Sequence, residues 1–174
     1  MKILVFSDSH GHAEYLTAAL GAHPDADAAV FLGDGIPDAK AAFSARPQLS
    51  HCILAGNCDF RSALAPQGIP QETEALLDFG GLRFWALHGH TEHVKLGYDR
   101  LLARAAEKRA DAILFGHTHI PENSFVQDPL LPSRKILLFN PGSIGLSFSH
   151  SYGVIHVYNG QISASHGYLY PERE

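Results

Sequence analysis

Met1-Lys2-Ile3-Leu4-Val5-Phe6-Ser7-Asp8-Ser9-His10-Gly11-His12 opens the chain with an apolar run that breaks abruptly into a polar tip. Four apolar, partly β-branched residues in a row read as a strand buried on both faces. Residues two apart on an extended chain, here Asp8 and His10, point the same way. A carboxylate and an imidazole so placed suit a metal ion. Taken alone, Asp8 is equally readable as a cap for the next helix. The reading of this stretch therefore depends on whether the chain repeats it.

The chain does repeat it. Residues 28–32 form a second apolar run ending in Gly33-Asp34-Gly35, and residues 52–55 a third ending in Gly56-Asn57-Cys58-Asp59. Between them, 13–22 carries Tyr15, Leu16, Ala19 and Leu20 on one helical face, and a helix is predicted over 37–45 with Pro37 in its first turn. Strand, helix, strand, helix, strand predicts a parallel sheet with right-handed crossovers, whose ligands gather beyond the carboxyl ends of the strands. From Ile69 the pattern changes: 73–79 and 82–87 flank Gly80-Gly81 as a β-hairpin, and the second arm ends in His88-Gly89-His90. A helix over 97–109 follows, then a fifth apolar run, 112–115, ending in Gly116-His117-Thr118-His119. Beyond it only strands are predicted, at 124–127, 135–139, 152–158 and 161–165. The last two join at Asn159-Gly160, and the end frays from Pro171.

The 174 residues suffice for one domain, 1–174, with a substantial core. Hydrophobic residues supply 45% and charged residues 18%, and no segment approaches the run of about eighteen apolar residues that a membrane helix requires. A soluble, cytoplasmic protein is expected, because the strand-like start has only Lys2 ahead of a short apolar run and does not read as a secretory signal. Cys52 and Cys58 lack the spacing of a zinc or redox pair, and no disulfide is expected. The net charge of -5, with no Lys/Arg block, excludes bulk nucleic-acid binding by counterion release but leaves a nucleotide-sized substrate open. Twelve histidines, several at the ends of apolar runs, invite a metal reading.

Five apolar runs thus end in Asp8/His10, Asp34, Asn57, His88 and His117/His119. Any one aspartate reads as a helix cap and any one histidine as a hydrogen-bonded residue at the core edge. All seven at the same kind of strand end are much harder to attribute to capping. Seven donors exceed the four of a structural zinc and include no thiolate. A pair of divalent ions about 3.5–4 Å apart fits better, an arrangement suited to in-line displacement at phosphoryl esters.

Asp8-Ser9-His10, Gly33-Asp34, Gly56-Asn57-Cys58-Asp59, His88-Gly89-His90 and Gly116-His117-Thr118-His119 resemble the five ordered motifs of the calcineurin-like metallophosphoesterases. The resemblance runs from Met1 through Asn140-Pro141-Gly142-Ser143. Within that superfamily the small size and the Gly-Asn-Cys-Asp variant are similar to the YfcE-type phosphodiesterases. The resemblance implies an α/β fold, a two-sheet mixed β-sandwich flanked by helices. It also implies one metal held by Asp8, His10, Asp34 and His119 and a second by Asp34, Asn57, His88 and His117. Asp34 bridges both, and a hydroxide between them is the nucleophile for phosphodiester hydrolysis of a small or nucleotide-like substrate. Manganese leads among the metals, with iron, zinc, cobalt, nickel and magnesium as alternatives. The resemblance suggests a small homo-oligomer.

Cys58 stands where many members carry a histidine that contacts the phosphate or protonates the leaving group, and a thiol is no cationic donor. His90, ahead of His12, is the nearest substitute in sequence. A cysteine hydrolase built on Cys58 is disfavoured because the thiol has no cationic activator beside it in sequence. The reading from a different class is a protein-interaction scaffold, because a retromer subunit resembles this same fold.

Overall fold

The computed structural model describes residues 1–60, 72–146 and 149–170. In the first strand, β1 (Lys2–Phe6), Ile3 and Val5 alternate with Leu4 and Phe6, and all four are fully buried. Ile3 and Val5 join the core between two sheets; Leu4 and Phe6 join a second core with two helices. A continuous apolar run is what a strand covered on both faces requires, since its side chains alternate in direction.

The remaining elements are α1 (Ala13–Ala22), β2 (Ala28–Phe31), α2 (Ile36–Ser44), β3 (Ser50–Ile53), β4 (Glu74–Phe79), β5 (Leu82–Leu87), a 3-10 turn at His90–Glu92, α3 (Asp99–Glu107), β6 (Ala112–Phe115), β7 (Glu122–Gln127), β8 (Lys135–Asn140), β9 (Ser151–Tyr158) and β10 (Gln161–Tyr168). They build two five-stranded mixed sheets, ordered β10-β9-β1-β2-β3 and β4-β5-β6-β8-β7. In the first, β1, β2 and β3 are parallel; in the second, β5, β6 and β8 are. Leu16, Leu20, Ala39 and Phe43 of α1 and α2 cover the outer face of the first sheet, and Leu101 and Ala105 of α3 cover that of the second. The two-sheet sandwich flanked by helices is therefore the fold, with β1 at the centre of its sheet.

Several boundaries differ from the sequence reading because neighbouring strands and backbone geometry set them. β3 lies at 50–53 rather than 52–55, because its parallel register with β2 pairs Ala28 with Ser50 and Phe31 with Ile53. The Ala55 amide has left that ladder and donates to Glu72 O at 2.7 Å. α3 starts two residues later than predicted, Gly97 having φ 140 and Tyr98 standing at the N-cap. β10 runs on to Tyr168 because β9 offers it partners as far as Ser151. The expected frayed end from Pro171 lies outside the described residues.

Candidate metal centre

The parallel strands of each sheet release the donor-bearing loops at one edge of the sandwich. Asp8 and His10 follow β1, Asp34 follows β2, Asn57 follows β3, His88 and His90 follow β5, and His117 and His119 follow β6. The two sheets are tied together there by backbone bonds from Ile144 N to Ser7 O (3.1 Å) and Gly145 N to Asp8 O (3.1 Å), in the loop after β8. Asp8, His10, Asp34, His117 and His119 all have positive φ, between 47 and 67. Each is a left-handed conformation that costs a non-glycine residue about 1–2 kcal/mol, the kind of strain held where function over-determines geometry. Asp8 and Asp34 cap no helix: the N-caps of α1 and α2 are His12 and Gly35, neither making a side-chain cap bond.

Three groups of donors converge, each with its ligand atoms within 4.8 Å of one another: Asp8, His10 and His119; Asp8, Asp34 and His88; and His10, Asp34 and Cys58. Asp8 Oδ1 has His119 Nε2 at 3.1 Å, His10 Nε2 at 3.7 Å and His88 Nε2 at 3.9 Å. Asp34 Oδ2 has His88 Nε2 at 3.4 Å and His10 Nε2 at 3.9 Å. Asp8 belongs to two of the groups, and Asp34 likewise to two. His117 stands outside all three, its ring centroid 5.1 Å from that of His88, while its backbone amide donates to Asp8 Oδ2 at 3.1 Å.

The polar accounting points outward. Asp8 Oδ1, His10 Nε2, Asn57 Oδ1, His88 Nε2 and His90 Nδ1 are buried without an aligned hydrogen-bond partner. An unsatisfied buried polar atom costs about 1–3 kcal/mol, so five at one edge mark a place where something else completes the bonding. His88 is the clearest case. Its Nδ1 lies 2.9 Å from Leu32 O and must donate to that carbonyl, which leaves the Nε2 lone pair of the neutral ring facing two carboxylates. A lone pair against anions calls for a cation between them. Oxygen and imidazole donors of this kind fit a divalent transition metal.

The electrostatics agree. Burial opposes ionisation of Asp8, but His10, His119, His88 and the Ser7 hydroxyl, which donates at 2.5 Å, more than offset it and hold the carboxyl well below the usual range. Asp34 is likewise penalised by burial yet held at about 2, by His88 and the Cys58 amide donating at 2.7 Å. The nearby Asp8 carboxylate raises the pKa of His10, and burial only partly counters it. For His88 burial is outweighed by Asp34 and Asp8, and its pKa also rises. Burial lowers His117 to about 4 and lowers His90, each with help from the charge of His88.

Four residues to which the sequence reading assigned no part hold the donors in place. The Asp59 carboxylate accepts the amides of Asp34, Gly35, Ile36 and Gly56 at 2.8–3.0 Å, locking the β2 and β3 loops together. A Cβ on Gly56 would collide with Asp34, which explains the glycine. Asp38 accepts the Ser9 hydroxyl and the Gly11 amide. Asn140 donates to Gly116 O at 2.9 Å and to the Thr118 hydroxyl, and Ser143 donates to Asp8 O at 2.8 Å. Asp59 was legible only as the last letter of its motif. The other three carried no local signal, since these bonds all span 22 or more residues.

Two expectations change. His12 is not at the site: its ring pairs with Glu14 at 2.9 Å beside α1. Cys58 does have a potential cationic neighbour, because the fold brings His10 beside it.

A sequence model of the calcineurin-like phosphoesterase superfamily domain matches residues 1–160. The chain is 32% identical over 148 residues to the probable metallophosphoesterase YsnB of Bacillus subtilis, covering 84% of this chain and 76% of that protein. Among solved structures, Chaetomium thermophilum Vps29 superposes with a TM-score of 0.69 at 19% identity, over 97% of this chain and 95% of that one. An archaeal phosphodiesterase superposes with a TM-score of 0.65 at 20% identity, over 95% and 99%. These two likenesses are of fold.

Proposed function

The chain belongs to the calcineurin-like phosphoesterase superfamily, and on that premise we propose that it hydrolyses phosphodiester bonds of small or nucleotide-like substrates with two divalent ions. The observation that carries the proposal is the set of buried donors without partners at one sheet edge: Asp8 Oδ1, His10 Nε2, Asn57 Oδ1 and His88 Nε2. Asp8, His10, Asp34 and His119 would hold one ion, and Asp34, Asn57, His88 and His117 the other. Asp34 Oδ2 and Asp8 Oδ1 each lie within 4 Å of a histidine from each set, so both carboxylates stand between the two groups of donors. When bound, such a pair brings the pKa of water toward about 7 and neutralises phosphoryl charge.

The chain's residues do the positioning. Leu32 O fixes the His88 tautomer, and Asp59 and Asn140 hold the loops that carry Asp34 and His117. Two divalent charges less Asp8, Asp34 and one hydroxide leave about +1, which matches a diester monoanion better than a monoester dianion. Leaving-group protonation is weakly provided. Cys58 is no cationic acid, and burial beside His88 keeps His90 neutral near pH 7. Aryl diesters, whose leaving groups need little protonation, should outrun alkyl diesters. A manganese-reconstituted protein assayed on matched aryl and alkyl mono- and diesters tests both preferences. Failure on every ester with metal bound would move the reading to an interaction scaffold, as the shared fold with Vps29 allows.

A further inference from the structure

Beside the metal-site edge lies a cleft of about 340 Å³ lined by Val94, Lys95, Tyr98, Thr118 and Ile120. Thr118 sits between His117 and His119, so the cleft adjoins the proposed site directly. Its floor is rigid. Val94 is buried beneath Gly89, where an added Cβ would sit 3.0 Å from Val94 Cγ2, and the Tyr98 ring packs edge-on against Phe115 at 5.3 Å. Its mouth is apolar: Ile120, next after His119, is 68% exposed. The volume is that of a small-molecule pocket, where a few placed polar groups choose the ligand.

The charge of the cleft is unusual for its surroundings. Among the described residues, Arg100, Arg104 and Lys108 of α3 and its C-cap are each paired with Glu92 or Glu74, whereas Lys95 has no carboxylate within ion-pair distance. An unpaired ammonium beside a tyrosine ring and an exposed isoleucine suits a flat apolar group ending in an anion.

Resting on the phosphodiesterase reading, we infer that this cleft is a specificity subsite for one esterifying group of the diester, an aromatic group bearing a second negative charge. Tyr98 and Ile120 take its planar body and Lys95 its anion. Glu122 is the opposing charge: burial first, and then the nearby Glu122 carboxylate, make the Tyr98 phenol harder to ionise. Among the described residues that line the cleft, Lys95 is the one cation, and the preference for an anion rests on it.

The test uses binding rather than turnover. Benzyl(methyl)phosphinate and its 4-carboxybenzyl counterpart mimic a diester but have no ester bond to cleave. Calorimetric titration of the manganese-loaded protein at low salt should show the carboxylated compound binding about fivefold tighter, the scale of one partly exposed ion pair. In Lys95→Met that preference should vanish, and 0.5 M salt should shrink it in the unaltered protein. Glu122→Gln should enlarge it, and Tyr98→Leu should weaken both compounds alike. Equal affinities in the unaltered protein, a preference that survives Lys95→Met, or no binding of either compound overturns the subsite. Assaying p-nitrophenyl diesters in parallel separates the two proposals: a Lys95-dependent preference without turnover supports the subsite and overturns the phosphodiesterase reading.

Discussion

Two carboxylates, Asp8 and Glu92, are buried equally deeply, and the protein treats them in opposite ways. Glu92 is enclosed by its own chain: Arg100 Nε lies 3.0 Å from Oε2, and Arg104 Nη1 binds Oε1. Arg104 also packs over Trp85 at 5.1 Å. Its neutralising charges are covalently part of the fold. Asp8 instead faces three imidazoles whose protons are conditional, and its Oδ1 has no aligned partner. The chain neutralises one buried charge completely and leaves the other to be completed from outside. Burial alone does not distinguish a structural carboxylate from a functional one; what distinguishes them is where the compensating charge comes from.

The largest test of that contrast is Asp34→Ala. It should reduce kcat/KM by at least about 10³-fold, since the phosphoryl charge stabilisation supplied by metal is worth several kcal/mol. It should also abolish the metal-induced rise in Tm, as calorimetry with and without manganese would show. Next comes Arg100→Met/Arg104→Met, which strands Glu92 without compensation and should cost about 3–5 kcal/mol of stability in denaturant titrations. That loss should be the same with and without metal; dependence on metal would erase the distinction between the two regions.

Asp59→Asn should follow, with about 10–100-fold weaker metal binding because the loops bearing Asp34 and Asn57 lose their common anchor. A smaller effect is expected from pH. The metal-free fold raises the pKa of His10 and His88 above 6.5. Those rings stabilise the metal-free protein fully below about 6.5, and their contribution is lost as pH rises through the folded-state values. Metal needs the neutral rings, so the metal-induced Tm shift should grow from pH 6 to pH 8. A shift that shrinks over that range would remove His10 and His88 from the ligand set. The smallest effect belongs to Cys58→Ser. If water is the nucleophile, kcat should change by less than about threefold; a collapse in activity would bring back Cys58, now known to lie beside His10, as a nucleophile.

The sequence and the structure differ most where partners are far apart in the chain. Apolar runs such as 3–6, 28–31 and 112–115 state their own burial, because a strand covered on both faces has no polar residue to spare. The hairpins at Gly80-Gly81 and Asn159-Gly160 were equally legible, turn chemistry being local. The boundaries of β3 and β10 were not, since the register of a neighbouring strand sets them.

At the site, the amino-acid order by itself determined which donors stand at strand ends: Asp8, His10, Asp34, Asn57, His88, His117 and His119. It could do so because an abrupt change from apolar to polar within one run is a property of a few consecutive residues. Only the tertiary structure decided how those ends meet. It placed three parallel strands of each sheet at one edge, clamped the β2 and β3 loops with Asp59, and opened a cleft beside them where Lys95 stands without a carboxylate partner among the described residues. Those outcomes depend on hydrogen bonds and packing between segments tens of residues apart, and no local pattern encodes them.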